Sequence, residues 1–173
     1  MTIKERIGWK LLQWRKHEPP DGRISLPHAA KDARSACIIL PANFDDFDVV
    51  RTILPELLIR LIDAKTTIWV RENFRSWLII NESCTVINYD PADATRFGLP
   101  DAGTLRHARA QEFDLLLDLS LTPDLYVAAL VNEARATTKV ALAHPNTQSL
   151  YNLLVESQSE DRGRRVLALL NYL

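Results

Sequence analysis

Residues 111–134, QEFDLLLDLSLTPDLYVAALVNEA, decide the fold of this chain. The segment 113–119 is apolar apart from two aspartates, which is typical of a strand buried on both faces of a parallel sheet. Ser120 and Thr122 are suited to capping a helix, Pro123 suits a first helical position, and apolar residues then recur at helical spacing. The stretch therefore predicts a strand, a polar turn and a crossover helix.

Similar units recur on both sides of this stretch. Further strands are predicted at 36–40, 66–70, 85–89, 138–143 and 151–155, and further helices at 2–17, 49–64 and 159–173. The alternation predicts an α/β fold, a Rossmann-like three-layer sandwich with a largely parallel sheet of about six strands and helices on both faces.

Proline and glycine mark the irregular parts of the chain. Pro55 lies inside the helix at 49–64 and predicts a kink, or a first turn separated from the rest. Residues 90–109 are predicted to be mainly loop, with a turn of helix at 104–108. We divide the chain into a basic amphipathic helix (1–18), a linker with a short helix (19–34) and a Rossmann-like domain (35–173).

The composition of the chain excludes several classes of protein. With 173 residues and a formal net charge of -1, the chain fits one globular domain without a general attraction to nucleic acid. Cys37 and Cys84 lie in apolar runs, where buried thiols are usual. We expect no signal peptide and no membrane-spanning segment, and therefore a cytoplasmic protein.

Polar side chains follow two of the predicted strands. In open α/β sheets ligands bind at the carboxyl ends of the strands, which makes these residues candidates for ligand binding. They are Asn43, Asp45, Asp46, Asp118, Ser120 and Thr122. The aspartates, together with Asp48, are suited either to capping the next helix or to a cluster that holds a divalent ion or acts as a general base. The turn at 40–48 has no glycine to approach a pyrophosphate, so we expect no nicotinamide or flavin cofactor, and the spacing of Cys and His matches no zinc site.

The first helix is basic and amphipathic. Ile3, Ile7, Leu11 and Trp14 share one face, with Trp9 and Leu12 beside it. Three interpretations stay open: packing on its own domain or a second copy, contact with another protein, or a position on a membrane surface. We expect the contact with a partner to involve Lys4, Ile7, Trp9, Lys10 and Trp14.

Two motifs carry a resemblance to a known family. The runs DVVRTILP (48–55) and FDLLLDLS (113–120), followed by TKVAL (138–142), resemble the amino-terminal domain of family 9 glycosyltransferases, the heptosyltransferase group. In that family the aspartate that opens the first helix is the catalytic base, and the resemblance implies this role for Asp48. The chain differs at Phe47, where the family has glycine, and at Ser120-Leu121, where it has Gln-Gly.

The resemblance covers residues 35–143, and we expect the carboxyl-terminal nucleotide-sugar domain of that family to be absent. Over its full length the chain looks like an uncharacterised single-domain bacterial family with a similar FDLLDL core. That second resemblance implies no activity.

Three functions are compatible with these observations. The first is a noncatalytic glycosyltransferase-like module that binds another protein or its own copy through the first helix. The second is a glycosyltransferase, or a subunit of one, that acts on a sugar or envelope glycolipid with Asp48 as base and with Asp118 and Ser120 positioning the acceptor. The third is a sensor of a small molecule or nucleotide at the same strand ends.

Overall fold

A computed structural model describes residues 2–15 and 30–171 and confirms the predicted fold class. Within these two ranges, six strands form one sheet in the order β3-β2-β1-β4-β5-β6, and every neighbouring pair is parallel. The strands are β1 (Ser35–Ile39), β2 (Lys65–Arg71), β3 (Thr85–Tyr89), β4 (Glu112–Asp118), β5 (Arg135–Leu142) and β6 (Leu153–Val155).

Helices cover both faces of the sheet. They are α1 (Ile3–Trp14), α2 (Phe44–Arg60), α3 (Ala102–Arg109), α4 (Leu125–Glu133) and α5 (Arg162–Leu170), and short 3-10 helices lie at Glu72–Trp77, Pro91–Asp93 and Gln148–Leu150. One apolar core lies under α2 and α5, and the other under α1, α3 and α4. The predicted amino-terminal helix is therefore part of the packed structure.

The centre of the sheet explains why residues 111–134 are so apolar. Leu115 and Leu117 of β4 face the core under α2 and α5, whereas Leu116 faces the core under α4, and none of the three side chains is exposed. All nine residues of α4 are buried. Burial on both faces of the strand and on every side of the helix accounts for the high apolar content of this stretch.

The start of α2 differs from the prediction. The helix begins at Phe44 instead of residue 49, because the Asn43 side chain accepts a hydrogen bond from the Asp46 amide at 2.9 Å and caps the helix. Asp45 and Asp46 then lie in the first turn, where the helix dipole favours negative charge. The helix continues through Pro55 to Arg60, so the predicted separation of a first turn is wrong.

The start of α4 also differs. Asp124 caps this helix by accepting the Val127 amide at 2.9 Å, so Ser120 and Thr122 are not the capping residues and Pro123 precedes the cap. In the region predicted to be loop, Asp101 caps a full helix, α3, through the amides of Gly103 and Thr104.

Smaller differences concern the edges of the domain. The last strand is shorter than predicted and leaves Tyr151 outside it. Cys37 is buried, but Cys84 is only half-buried because it precedes the edge strand β3. Most of the linker at 19–34 lies outside the described residues, and the domain boundaries stay a prediction. No helix in the described ranges is long and apolar enough to cross a membrane.

Candidate functional site

The carboxyl ends of β1 and β4 lie side by side, and this brings most of the candidate ligand residues together. Ile39 at the end of β1 pairs with Asp118 at the end of β4. Beyond them, the Thr122 hydroxyl donates to Asp46 Oδ2 at 3.0 Å, and Asn43 Nδ2 donates to the same oxygen at 2.8 Å. The two loops that the sequence singled out are thus hydrogen-bonded to each other.

Asp46 is the centre of this contact. Its side chain is 1% exposed, and its other oxygen, Oδ1, lies 3.4 Å from Arg162 Nε at ion-pair distance without hydrogen-bond geometry. Arg162 also lies 3.3 Å from the exposed carboxylate of Asp45. Arg162 belongs to α5, so Asp46 connects three parts of the chain: helix α2, helix α5 and the loop that precedes α4. The negative charge of Asp46 is already matched by the Arg162 cation.

Asp118 has a separate set of partners. Its Oδ1 accepts the Ser120 amide at 2.9 Å, and its Oδ2 accepts the Tyr151 hydroxyl. Burial raises the pKa of Asp118 although both hydrogen bonds act in the opposite direction. The Ser120 hydroxyl lies buried beside this carboxylate without a hydrogen bond of its own.

The space around Asp118 is small. A cavity of about 10 Å³ is lined by Asp118, Ser120, Asp124, His144 and Tyr151 among others, and this is the volume that one water molecule needs. Burial also raises the pKa of Asp124 and lowers that of His144, where Arg165 acts in the same direction. Within residues 2–15 and 30–171, no three Asp, Glu, His or Cys side chains are grouped as a metal ion requires.

Asp48 lies apart from these contacts. It occupies the second turn of α2, so it does not open the helix as the resemblance implied, and Asn43 holds that position. Its half-exposed carboxylate forms an ion pair with Arg51 at 2.7 Å. The Arg51 guanidinium in turn lies 5.7 Å from the ring centre of Trp77, which contacts Phe44 edge to face. Asp48 is thus part of a solvent-facing patch of α2.

The residues expected to contact a partner divide between the two sides of α1. Gly8 and Leu12 are buried against the domain, and Trp9 packs beside them and is only half-buried. Ile3 and Trp14 are 78% and 88% exposed, and Ile7 is 39% exposed. Lys4 and Lys10 are also exposed. Trp9 therefore serves mainly to attach the helix, and the other four predicted residues are available to solvent.

Similarity to a protein family extends over nearly the whole chain. Residues 4–173 match the model of the Family of unknown function (DUF6913). The chain belongs to this family. No curated protein matches the DUF6913 chain.

One solved structure shares the fold of this DUF6913 protein, the E. coli heptosyltransferase WaaC with ADP. The two agree with a TM-score of 0.52 at 16% sequence identity over 80% of the DUF6913 chain. The match spans only 46% of the heptosyltransferase, less than half of its length. The expected likeness to heptosyltransferases is therefore confirmed for the fold.

Three residues of the DUF6913 site were not singled out from the sequence. Asp124 directly precedes an apolar helical run, which is the signal of a capping residue. Tyr151 and His144 carry no such signal. Tyr151 meets Asp118 from 33 positions away along the chain, and this contact depends on the sheet order, in which only β5 separates β4 from β6.

Proposed function

We propose that this protein is a noncatalytic, glycosyltransferase-like module that binds another protein through the exposed side of α1. The observation that carries the proposal is a stripe of apolar side chains on that helix. Ile3, Ile7 and Trp14 follow at helical spacing on one side, and all three are exposed. Exposed aromatic and aliphatic residues grouped in this way are characteristic of interaction sites.

The other side of α1 is fixed to the domain. A Cβ atom added at Gly8 would lie 2.4 Å from the Phe97 carbonyl oxygen and 2.5 Å from Leu125 Cδ2, so the helix backbone approaches its neighbours closely. Asn132 of α4 donates to the Arg15 carbonyl at 3.2 Å at the end of the helix. Because the helix is held at both places, binding the stripe requires little ordering of the helix itself.

Charge favours a different protein over a second copy. Residues 2–15 carry four basic side chains, Lys4, Arg6, Lys10 and Arg15, against the single acidic Glu5. Two copies of the helix placed face to face would bring like charges together, whereas a groove with an acidic rim would complement them. The expected partner is a protein with an apolar groove bordered by Asp or Glu.

The carboxyl end of the sheet supports a noncatalytic role. Asp46 and Asp118 are buried and are bound by groups of the chain itself. The cavity beside Asp118 has the volume of one water, which is far below that of a sugar site.

The test compares two exposed apolar residues in the full chain. Trp14→Ser should abolish capture of the protein that the wild type binds, and Ile62→Ser, at a position 75% exposed beyond α2, should leave capture unchanged. Binding should weaken with salt, and the chain alone should be a monomer by light scattering. Equal capture by both variants, or a dimer that Trp14→Ser dissociates, would refute the proposal.

The second candidate is a glycosyltransferase or a subunit of one, favoured by the shared fold and by the exposed position of Asp48. In this case Asp48→Asn should eliminate transfer from a nucleotide-sugar to an acceptor, and Asp63→Asn on the exposed turn after α2 should not. Absence of transfer by the wild type, or turnover retained by Asp48→Asn, would remove this candidate.

A further inference from the structure

A second cavity among the described residues lies at the opposite end of the sheet. It measures about 730 Å³ and is bounded by the amino-terminal parts of β1, β4 and β5 and the carboxyl-terminal ends of α3 and α4. Small-molecule sites have volumes of about 300 to 1,000 Å³. The cavity is thus large enough for a ligand, in contrast to the space beside Asp118.

Lys139 of β5 lines this cavity and is only 5% exposed. Its Nζ donates to the Val131 carbonyl at 2.6 Å, one of the last carbonyls of α4. Its backbone amide donates to Asn152 Oδ1 at 2.7 Å, which fixes the position of β5 at this residue. The amine is therefore held in one place at the wall of the cavity.

The other charged residues of the cavity have partners among the described residues. Arg109 is paired with Glu133, and Arg135 with Glu112 at 3.3 Å. Asp114 accepts hydrogen bonds from the amides of Arg34 and Ser35 and from the Ser35 hydroxyl. Lys139 forms no ion pair with a described carboxylate, and its direct partner is a neutral carbonyl.

This environment favours the neutral amine. Burial lowers the pKa of Lys139 to about 8, and the charge of Glu133 at the end of α4 opposes the shift. A neutral amine that donates one N–H to Val131 keeps its lone pair, which is the nucleophilic part of the group. Buried lysines with this property form imines with carbonyl compounds in other proteins.

We propose that the cavity binds a small 2-oxo acid and that Lys139 Nζ condenses with its carbonyl carbon to form an imine. A C–N bond forms as the amine adds to the carbonyl. The carbonyl oxygen then leaves as water with the two amine hydrogens, so no oxidant or reductant is needed. Arg109 and Arg135 are half-exposed or more at the cavity, and their guanidinium groups are suited to hold the carboxylate. The Arg135–Glu112 pair is exposed and worth little, so an incoming carboxylate can replace Glu112.

The experiment uses pyruvate as the probe and the full chain as the protein. The chain is incubated with pyruvate at pH 8, sodium borohydride is added to reduce any imine, and modified lysines are located by peptide mass mapping. At this pH about half of an amine with pKa 8 is neutral, against less than about 1% for a lysine at its ordinary pKa of about 10.4. We expect one adduct, at Lys139, at least about ten times more abundant than at Lys65, an exposed lysine at the start of β2.

A matched variant and a competitor complete the test. Lys139→Arg retains a cation that can bond to Val131, but it cannot form an imine, so the adduct should disappear. Excess acetate, which has the carboxylate but no reactive carbonyl, should reduce labelling of Lys139 and not of Lys65. An unmodified Lys139, or labelling no greater than at Lys65, would overturn the proposal. This result is read from the wild type and does not depend on how the variant folds.

Discussion

Two buried tyrosines at the carboxyl end of the sheet provide a test of the charge on Asp118. The Tyr151 hydroxyl donates to the Asp118 carboxylate, and the Tyr89 hydroxyl donates to the Leu40 backbone carbonyl at 2.7 Å. Both side chains are almost fully buried, at 5% and 3% exposure. Tyr151→Phe and Tyr89→Phe therefore remove the same atom from similar surroundings, and only the charge of the acceptor differs.

The expected loss in the free energy of unfolding depends on the charge of the group that accepts each hydrogen bond. A hydrogen bond to a charged group contributes about 1.5 to 3 kcal/mol, and one between neutral groups about 0.5 to 1.5 kcal/mol. Tyr151→Phe should thus lower the free energy of unfolding by about 2 kcal/mol at neutral pH or above, and Tyr89→Phe by about 1 kcal/mol. Burial raises the pKa of both tyrosines well above 10, so neither ionises below pH 9.

The two losses should also differ in their dependence on pH. The Tyr151 hydrogen bond lowers the pKa of Asp118, so its removal raises that pKa further. In the pH range between the two values the folded variant binds more protons than the folded wild type, and its stability therefore falls faster as the pH rises. The loss caused by Tyr151→Phe should grow from acid to neutral pH, whereas that of Tyr89→Phe should stay constant.

Urea denaturation at pH 5, 7 and 9, followed by tryptophan fluorescence, measures both quantities. The double variant Asp118→Asn/Tyr151→Phe provides the control, because the amide that replaces the Asp118 carboxyl cannot ionise and the effect of Tyr151→Phe should then lose its pH dependence. Equal losses for the two tyrosines that do not change with pH would refute the conclusion that Tyr151 donates to an ionisable buried carboxyl.

Three further predictions concern other contacts. Gly8→Ala should lower the free energy of unfolding by about 1 to 2 kcal/mol in thermal melts, since the overpacking exceeds the gain in helix propensity, whereas Gly163→Ala, whose Cβ would meet only Asp161 Oδ1 at 3.3 Å, should be close to neutral. Arg162→Ala should cost about 1 to 2 kcal/mol in urea because it leaves the buried Asp46 without a cation, whereas loss of the exposed pair of Arg135 should cost less than about 1 kcal/mol. The pKa of Lys139 is lowered on folding to about 8, so the folded protein binds fewer protons than the unfolded chain above that pH. Stability should therefore rise relative to Lys139→Met as the pH increases from 8 to 10.

The fold was predictable because its signals are local or repeat along the chain. The apolar run of β4 and the buried helix α4 specify a parallel sheet by composition alone. The starts of α2 and α4 were misplaced because several polar residues in each loop can cap a helix. Which one does so depends on a single side-chain conformation, that of Asn43 or of Asp124.

The candidate site was predictable only in part. The rule that ligands bind at the carboxyl ends of strands singled out the loops of Asp46 and Thr122, which hydrogen-bond to each other. The rule does not predict which residues pair with the carboxylates, and Asp118 does not join Asp46. Arg162 and Tyr151 come from later parts of the chain, and their contacts depend on the order of β4, β5 and β6. Lys139 did leave a signal, since a charged residue in the middle of an apolar strand requires a specific environment.

The contacts at the carboxyl end of the sheet determine how much energy a ligand must supply to bind there. At the carboxyl end, a sugar would have to displace Tyr151 from Asp118, at a cost of about 2 kcal/mol, or Arg162 from Asp46, at a cost of about 1 to 2 kcal/mol. A ligand could bind there only if its own hydrogen bonds to the protein compensated for this loss of free energy. The apolar stripe of α1 imposes no such cost, because Ile3, Ile7 and Trp14 are already exposed. This difference in cost supports the proposal that the protein binds its partner through the exposed side of α1.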